Sequence, residues 1–356
     1  MRFTVRNDIN EISDHTLARH YNWSGYEVSS GSSEVSVYDL LIAGESDGIS
    51  DLFTTSETRE QFPETMREIT FPAGTGLGLW FDPDSEPWNH RSARQALLHA
   101  IDRDAVLDEI GSSTSLVDPT PTGLSAATRS NWSLPSDESS FLTYDGGMQR
   151  AESLLTEIGY EPDELDVTIA FPEQETSWGL AVRSIEDQFD DTDWTVTAEA
   201  KRGDPADLIA LDGVDLVAAR TGPEPRVQRY HPFFAFEFLI RGDPDADEHF
   251  AGYEAETVAV DDTEIDANEE LSRLRTTASR AEQRPIAERL ALTVNRDLPC
   301  AFVFEDRVQS FIDTERFAIP DSSEHLHCHW PQWWLPKVSE TLPEYETPGL
   351  LKYQRS

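Results

Sequence analysis

Lysine is almost missing from this chain: Lys201, Lys337 and Lys352 are the three among 28 basic residues. Cysteine is nearly as scarce, with two residues, which excludes a disulfide-stapled scaffold. Cys300 sits in an apolar, strand-like run and reads as a small buried hydrophobe. No stretch approaches the ~18 apolar residues that a spanning helix needs. The opening residues, Met1 to Asp8, show neither an apolar h-region nor a cleavage site. Positive charge is outnumbered, with Lys+Arg 28 against Asp+Glu 68 and a formal charge of -40. A phosphate backbone would be repelled from most of such a surface, so nucleic acid is excluded as a general partner. Neither an H-E-x-x-H motif nor a P-loop occurs, there are no internal repeats or low-complexity linkers, and nothing argues for an enzyme.

What is present is acid in excess, laid over regular periods. High net charge with modest hydrophobicity would suit a disordered chain, yet helix and strand patterns recur throughout and predict a folded protein. The length of 356 residues permits two lobes with a sizeable core. Acid excess together with so little lysine points to a protein adapted to molar salt, where the Debye length is ~3 Å and surface self-repulsion is screened.

The stretch Gly76 to Leu107 is the most informative. It runs from an extended apolar segment, Gly76 to Phe81, through a turn at Pro83 to Pro87, into a helix. Ala93, Ala96, Leu97, Ala100 and Ile101 fall on one stripe of a 3.6-residue repeat, while Arg91, Arg94, Gln95 and Arg103 stand off it. Asn89 is the expected N-cap, and Asp102 or Asp104 is expected to cap a second short helix, Ala105 to Ile110.

The order of strand, proline-bearing turn and Arg94-Gln95-Ala96-Leu97 with Ala100-Ile101-Asp102-Arg103 resembles the family 5 extracellular solute-binding proteins of ABC transporters, the dipeptide, oligopeptide and nickel binders. Downstream, Tyr144-Asp145-Gly146-Gly147 with Ala151, Leu154, Leu155 and Gly159-Tyr160 resembles that family's Y-D-P-x-x-A-x-x-L-L-x-x-A-G-Y segment. Upstream, His20 to Gly25 is similar to its N-P-D-Y-W-G segment and is followed by an expected strand, Val35 to Ile42. Gly44-Glu45-Ser46-Asp47 is similar to its G-E-x-D element, followed by a short helix at Thr55 to Phe62. Because such segments lie well inside family members, the resemblance implies that upstream residues are missing here, as in a truncated gene, a mis-called start or a remnant.

Further along, Leu165 to Phe171, the helical spacing of Trp178 to Phe189, and Trp194 to Ala200 read as a β-α-β unit. Val214 to Ala219 is a further strand. Asn268 to Gln283 and Pro285 to Asn295 are expected as two helices joined at Arg284-Pro285. Asp297 to Phe304 resembles the family's closing D-x-P-x-I-P-L strand. The implied fold is α/β, periplasmic-binding-protein-like, of type II in the cluster of peptide binders. Two hinged lobes are expected, one of residues 1–81 with 307–356 and one of residues 82–306.

The resemblance also implies a cleft side drawn from Trp80, Phe81, Asp82, the loop at Pro121 to Gly123, and Thr221, Gly222 and Glu224. Where the family carries an Asp for a ligand's amino group this chain has Thr221, and Asp82 stands at the place of a family Asn. The ligand class therefore stays open between peptides, other amphipathic solutes and metal chelates. His325, His327, Cys328 and His329 are of metal-ligating type, but successive strand residues face opposite ways, and a polar strand or loop is the favoured reading. Trp330, Trp333 and Trp334 are read as packing onto the first lobe. Asp190-Asp191 and Asp261-Asp262 are read as solvated surface.

The function implied is that of a monomeric solute carrier delivering a small solute or peptide to an ABC permease outside the cytoplasm, with no cofactor. The alternatives are a cytoplasmic ligand-sensing domain of a transcriptional regulator, or a remnant that binds nothing.

Overall fold

The extended run at Gly76 to Phe81 is the end of a longer strand that begins at Met66. The computed structural model describes residues 2–4, 25–27, 34–52, 54, 56–82, 85–111, 115–135, 141–161, 165–223, 231–240, 258–260, 263–315, 317–318 and 352–353. The chain divides into two units, Met1–Phe71 with Arg307–Ser356, and Pro72–Asp306.

In the first unit β1 (Arg2–Thr4) pairs antiparallel with β2 (Gly25–Glu27). There follow α1 (Glu34–Ile42), β3 (Gly48–Leu52), α2 (Ser56–Arg59) and the start of β4 (Met66–Phe81). The α1 segment corrects the strand expected at Val35 to Ile42. Val35 and Val37 suggest alternation, but Tyr38 and Leu41, three apart, share a helical face against Phe62 and Phe311, while Ile42 is exposed. Phe62 and Phe311 meet edge to face at 4.9 Å.

In the second unit the rest of β4 is followed by α3 (Arg91–Ala100) and α4 (Arg103–Glu109). His90, not Asn89, is the N-cap of α3, and it makes no side-chain cap bond. Asp102 caps α4 as expected, accepting from the Ala105 N–H at 3.0 Å. Then come α5 (Ala126–Trp132), α6 (Gly147–Glu157), β5 (Asp166–Pro172), α7 (Thr176–Gln188) and β6 (Thr195–Lys201). After α8 (Pro205–Ile209) and β7 (Leu216–Arg220), α9 (Pro232–Ile240) is apolar on nearly every face and therefore carries no helical stripe. A small hairpin, β8 (Val258–Val260) and β9 (Thr263–Ile265), precedes α10 (Ala267–Thr276) and α11 (Arg280–Asp297).

The break between the last two helices lies at residues 277–279, not at Arg284-Pro285. Ser279 caps α11, its hydroxyl accepting from the Glu282 N–H at 3.3 Å and donating to the Glu282 carboxylate at 2.8 Å. Pro285 is held inside α11. Its missing N–H would have faced the carbonyl of Ala281, an exposed residue in the first turn, which water can satisfy.

The last long strand, β10 (Cys300–Asp313), runs beside β4, and the order within this unit is β10-β4-β7-β5-β6. β5 is parallel to both β6 and β7, confirming the β-α-β unit, whereas β4 and β7 are antiparallel. In the first unit the far end of β10 pairs antiparallel with β3, and β11 (Phe317–Ala318) pairs with β12 (Lys352–Tyr353).

Strand alternation explains why these strands read as continuous apolar runs. Leu77, Leu79, Phe81, Val167, Ile169, Leu216 and Ala218 face one core, packed under α3, α4, α6 and α7. Trp80, Ala170, Val217 and Ala219 face the other, packed under α9, α10 and α11. Both faces of the sheet are covered, as parallel strands require. Gly76 lets β4 approach β10 closely, since a Cβ there would fall 1.8 Å from the Phe304 carbonyl.

Candidate functional site

Within the second unit, the middle of β4, the loop 118–125 before α5, the residue after β7 and the start of β10 meet around a half-open cavity of about 40 Å³. That volume accepts one or two water-sized groups rather than a whole solute. Gly74 and Thr75 come from β4, Pro121, Thr122 and Gly123 from the loop, Thr221 from the end of β7, and Phe302 and Glu305 from β10.

The loop is held from below by buried polar side chains. Arg103 donates to the Asp118 carbonyl at 2.7 Å and to the Tyr144 carbonyl at 2.8 Å. Arg129 pairs with the Asp118 carboxylate at 2.7 Å. Asn295, fully buried, donates to the carbonyls of Pro121 and Leu142 at 3.0 Å each and accepts from the Leu142 N–H at 2.7 Å. The Tyr144 hydroxyl donates to the Asn295 carbonyl at 2.5 Å, and burial pushes its pKa well above the ordinary phenol range. Burial also pulls the Arg103 guanidinium down, partly offset by the Asp118, Asp104 and Asp145 carboxylates. A loop tied this way keeps its shape without a ligand, which lowers the ordering cost of binding.

Two hydroxyls in the cavity lack partners: Thr75 Oγ1 and Thr122 Oγ1 are buried with no hydrogen bond, and Thr122 is wholly buried. A buried unsatisfied hydroxyl costs about 1–3 kcal/mol, and neither oxygen offers accessible surface to the cavity. The Thr221 hydroxyl, by contrast, accepts from the Gly76 N–H at 3.0 Å, and the Thr221 N–H donates to the Gly76 carbonyl at the same distance. Glu305 accepts from the Ala126 N–H at 2.9 Å, at the start of α5.

The sequence-expected residues divide. Pro121, Gly123 and Thr221 line the cavity together. Gly123 also has a backbone reason, with φ of 73° and a Cβ that would fall 2.2 Å from Leu239 Cδ1. Gly222 is buried beside Thr75. Trp80 is a core residue, its indole N–H donating to the Arg220 carbonyl at 3.2 Å and its ring edge to face with Phe238. Phe81 points to the opposite core and stacks on Trp88 at 5.3 Å. Asp82 is half-buried at the end of β4, and its N–H donates to the Asp215 carbonyl. Glu224 and the cluster His325, His327, Cys328 and His329 lie outside the described residues, as do Trp330, Trp333 and Trp334. Among the described residues no group of His, Cys, Asp and Glu is placed to hold a metal ion.

Sequence reasoning took in Thr122 with the Pro121 to Gly123 loop but missed Thr75 and the pinning residues Arg103, Arg129 and Asn295. Two buried arginines flanking a Thr-Pro-Thr-Gly loop would have been the available signal. The letters Gly44-Glu45-Ser46-Asp47-Gly48 also spell G-x-S-x-G, but they join α1 to β3, a helix-to-strand turn. A nucleophile elbow needs strand-to-helix order, and here the Ser46 hydroxyl donates to the Gly48 carbonyl at 2.8 Å. Cys300 is buried and free, its thiol pushed far above the reactive range by desolvation.

A second cavity of about 70 Å³ opens at the C-terminal ends of β5 and β7, bounded by Glu175, Trp178, Asp204, Arg220 and Phe238. Parallel sheets meet ligands at such strand ends.

A family model described as bacterial extracellular solute-binding proteins, family 5 Middle, matches residues 26–224. Among solved structures, the ABC transporter substrate-binding protein CtaP of Listeria monocytogenes superposes with a TM-score of 0.61 at 16% identity, over 83% of this chain and 56% of that one. NikZ from Campylobacter jejuni, solved in complex with Ni(L-His), gives 0.60 at 16% identity, over 83% and 57%. The oligopeptide-binding protein AppA from Bacillus subtilis, solved with a nonapeptide, gives 0.60 at 14% identity, over 84% and 57%. The α/β, periplasmic-binding-protein-like fold expected from the sequence is the fold observed. The chain spans little more than half the length of these structures. No curated protein matches the sequence.

Proposed function

The chain belongs to the bacterial extracellular solute-binding proteins, family 5, and on that premise we propose that it captures a small solute and hands it to the permease of an ABC importer. One observation carries the reading. The family match, residues 26–224, takes in Thr75, the 118–125 loop and Thr221, which line a preformed cavity. The reading treats residues 1–81 with 307–356, and 82–306, as lobes whose closed form a bound solute favours by differential affinity. The protein acts as a monomeric carrier and not as a catalyst, on the outer side of the membrane, with a peptide-like or other small solute as cargo. No described helix is long and apolar enough to cross a membrane. The charge of -40 supports work in molar salt and disfavours nucleic acid.

A thermal-shift screen of the chain in molar salt against peptides, metal chelates, amines and sugars tests this. One class should raise the melting temperature saturably, because a ligand that binds only the native state stabilises it by mass action. Flat responses to every class at millimolar concentration would contradict the reading.

A further inference from the structure

Resting on that reading, we propose that the solute carries an alkylated ammonium head group, and that the second cavity, at the C-terminal ends of β5 and β7, receives it through Trp178, Glu175 and Asp204. The cavity holds about 70 Å³, room for about five water-sized groups. That is the bulk of a trimethylammonium head, not of a peptide.

Its walls combine apolar surface with free negative charge. Trp178, in the first turn of α7, is half-buried, so part of its ring stays open to a guest. Phe238 of α9 lies deeper, held edge to face against Trp80 at 5.7 Å, and Pro205 adds a further apolar side. Aromatic faces attract cations within about 6 Å of the ring, and quaternary ammonium groups suit them especially. Glu175 and Asp204 are the N-cap residues of α7 and α8, where a carboxylate ordinarily accepts from the helix's own N–H groups. Neither side chain does so here. Neither carboxylate has a hydrogen bond or ion pair with a described residue, so both remain available, Glu175 half-buried and Asp204 at the exposed rim.

The sign of the guest follows from the balance. The two carboxylates face the single guanidinium of Arg220, which already has a partner. An anion would meet the excess negative charge. A metal ion lacks a ligand set, since no three His, Cys, Asp or Glu among the described residues are placed to hold one.

Salt then decides between kinds of ammonium. At molar ionic strength the Debye length is ~3 Å, so charge attracts only at contact, and inorganic cations compete for every bare carboxylate. Discrimination has to come from surface that a hydrated sodium ion cannot use. A methylated head buries its carbons against Trp178, Phe238 and Pro205 while its charge meets Glu175. A primary ammonium, including a peptide's amino end, brings three N–H donors that a largely apolar wall leaves short of acceptors.

Isothermal titration of the full chain in molar sodium chloride tests this with choline, its neutral carbon isostere neopentyl carbinol, a primary alkylamine, short peptides, a metal chelate and an oligosaccharide. The Glu175→Gln/Asp204→Asn pair alters side chains that hold nothing together in the protein, and Trp178→Leu removes the aromatic face. Circular dichroism confirms that each folds. Choline should bind, roughly tenfold more weakly to either variant, with the neutral isostere and the primary amine at least tenfold weaker on the wild type. Choline bound equally by wild type and the carboxylate pair, or no more tightly than its neutral isostere, would overturn the proposal. Binding of a peptide, chelate or sugar in place of choline would overturn it and leave solute capture standing. Binding of no probe would overturn both this proposal and the reading it rests on.

Discussion

Replacing Asp297 by alanine removes the carboxylate that ties the C-terminus of α11 to α3. Its Oδ1 accepts from Arg94 Nη2 at 2.9 Å and from Arg91 Nε at 3.0 Å, while Arg94 also donates to the carbonyls of Asp297 and Trp88. The Arg94 and Asp297 side chains are 4% and 1% exposed, so solvent cannot take over the lost bond. Breaking a buried pair from one side leaves a charge stranded and costs about 3–5 kcal/mol. For a unit of this size each kcal/mol lowers the melting temperature by about 2–4 °C, so Asp297→Ala should melt roughly 6–20 °C lower.

The companion Arg94→Met removes the other charge, and the double variant removes both. It should recover much of the loss, because a matched apolar replacement of a buried pair is often near neutral. Melting curves and urea titrations of all four species give the coupling energy directly. Burial also means that the penalty should be the same at about 0.1 M and several molar salt wherever the chain is folded, unlike a surface pair. A penalty below about 1 kcal/mol, or one that disappears on adding salt, would refute the assignment of Arg94 as a buried structural tie.

Further outcomes are expected. Gly123→Ala forces a Cβ into a left-handed backbone position and against Leu239, and should destabilise the chain by about 1–3 kcal/mol in denaturant titration. His99 accepts from the Gly146 N–H at 3.1 Å, and burial, then Arg150, hold its pKa below the ordinary 6.5. Its stabilising share is therefore present above pH 6.5 and is lost as pH falls through the lowered value, and His99→Gln should flatten that acid limb. Asp215 is shifted the other way, raised from 3.8 chiefly by burial. Its ionised form costs stability at neutral pH, and the cost fades as pH falls through the raised value. Asp215→Asn, which can still accept from the Thr168 N–H, should melt higher at pH 7, with a margin that shrinks towards pH 4. Dialysis from about 3 M to about 0.1 M salt should unfold the protein through unscreened self-repulsion, and unchanged circular dichroism would contradict the adaptation to molar salt.

Elements whose sequence carries a period were legible. The α3 stripe from Ala93 to Ile101, the β5-α7-β6 unit and the α4 cap at Asp102 all follow from spacing and capping chemistry. Elements set by tertiary contacts were not. α9 is apolar on nearly every face because it packs with α10, α11 and the sheet, and α1 looks like a strand until Phe62 and Phe311 are placed against Tyr38 and Leu41. The same division holds at the cavity. The proline and glycine of the 118–125 loop announce a turn, and the resemblance pointed to Pro121, Gly123 and Thr221. Trp80 and Phe81, which the resemblance placed on the cleft side, are instead core residues on opposite faces of β4. The unpaired hydroxyls of Thr75 and Thr122 depend on segments far apart in sequence, and no local pattern marks them.

Equilibrium dialysis of the chain in molar salt against the solute that most raises its melting temperature, with bound and free solute counted by mass spectrometry, meets the central claim most directly. Saturation is expected at about one solute per chain. Equal solute on both sides of the membrane at every concentration tried, for folded wild-type protein, would contradict it.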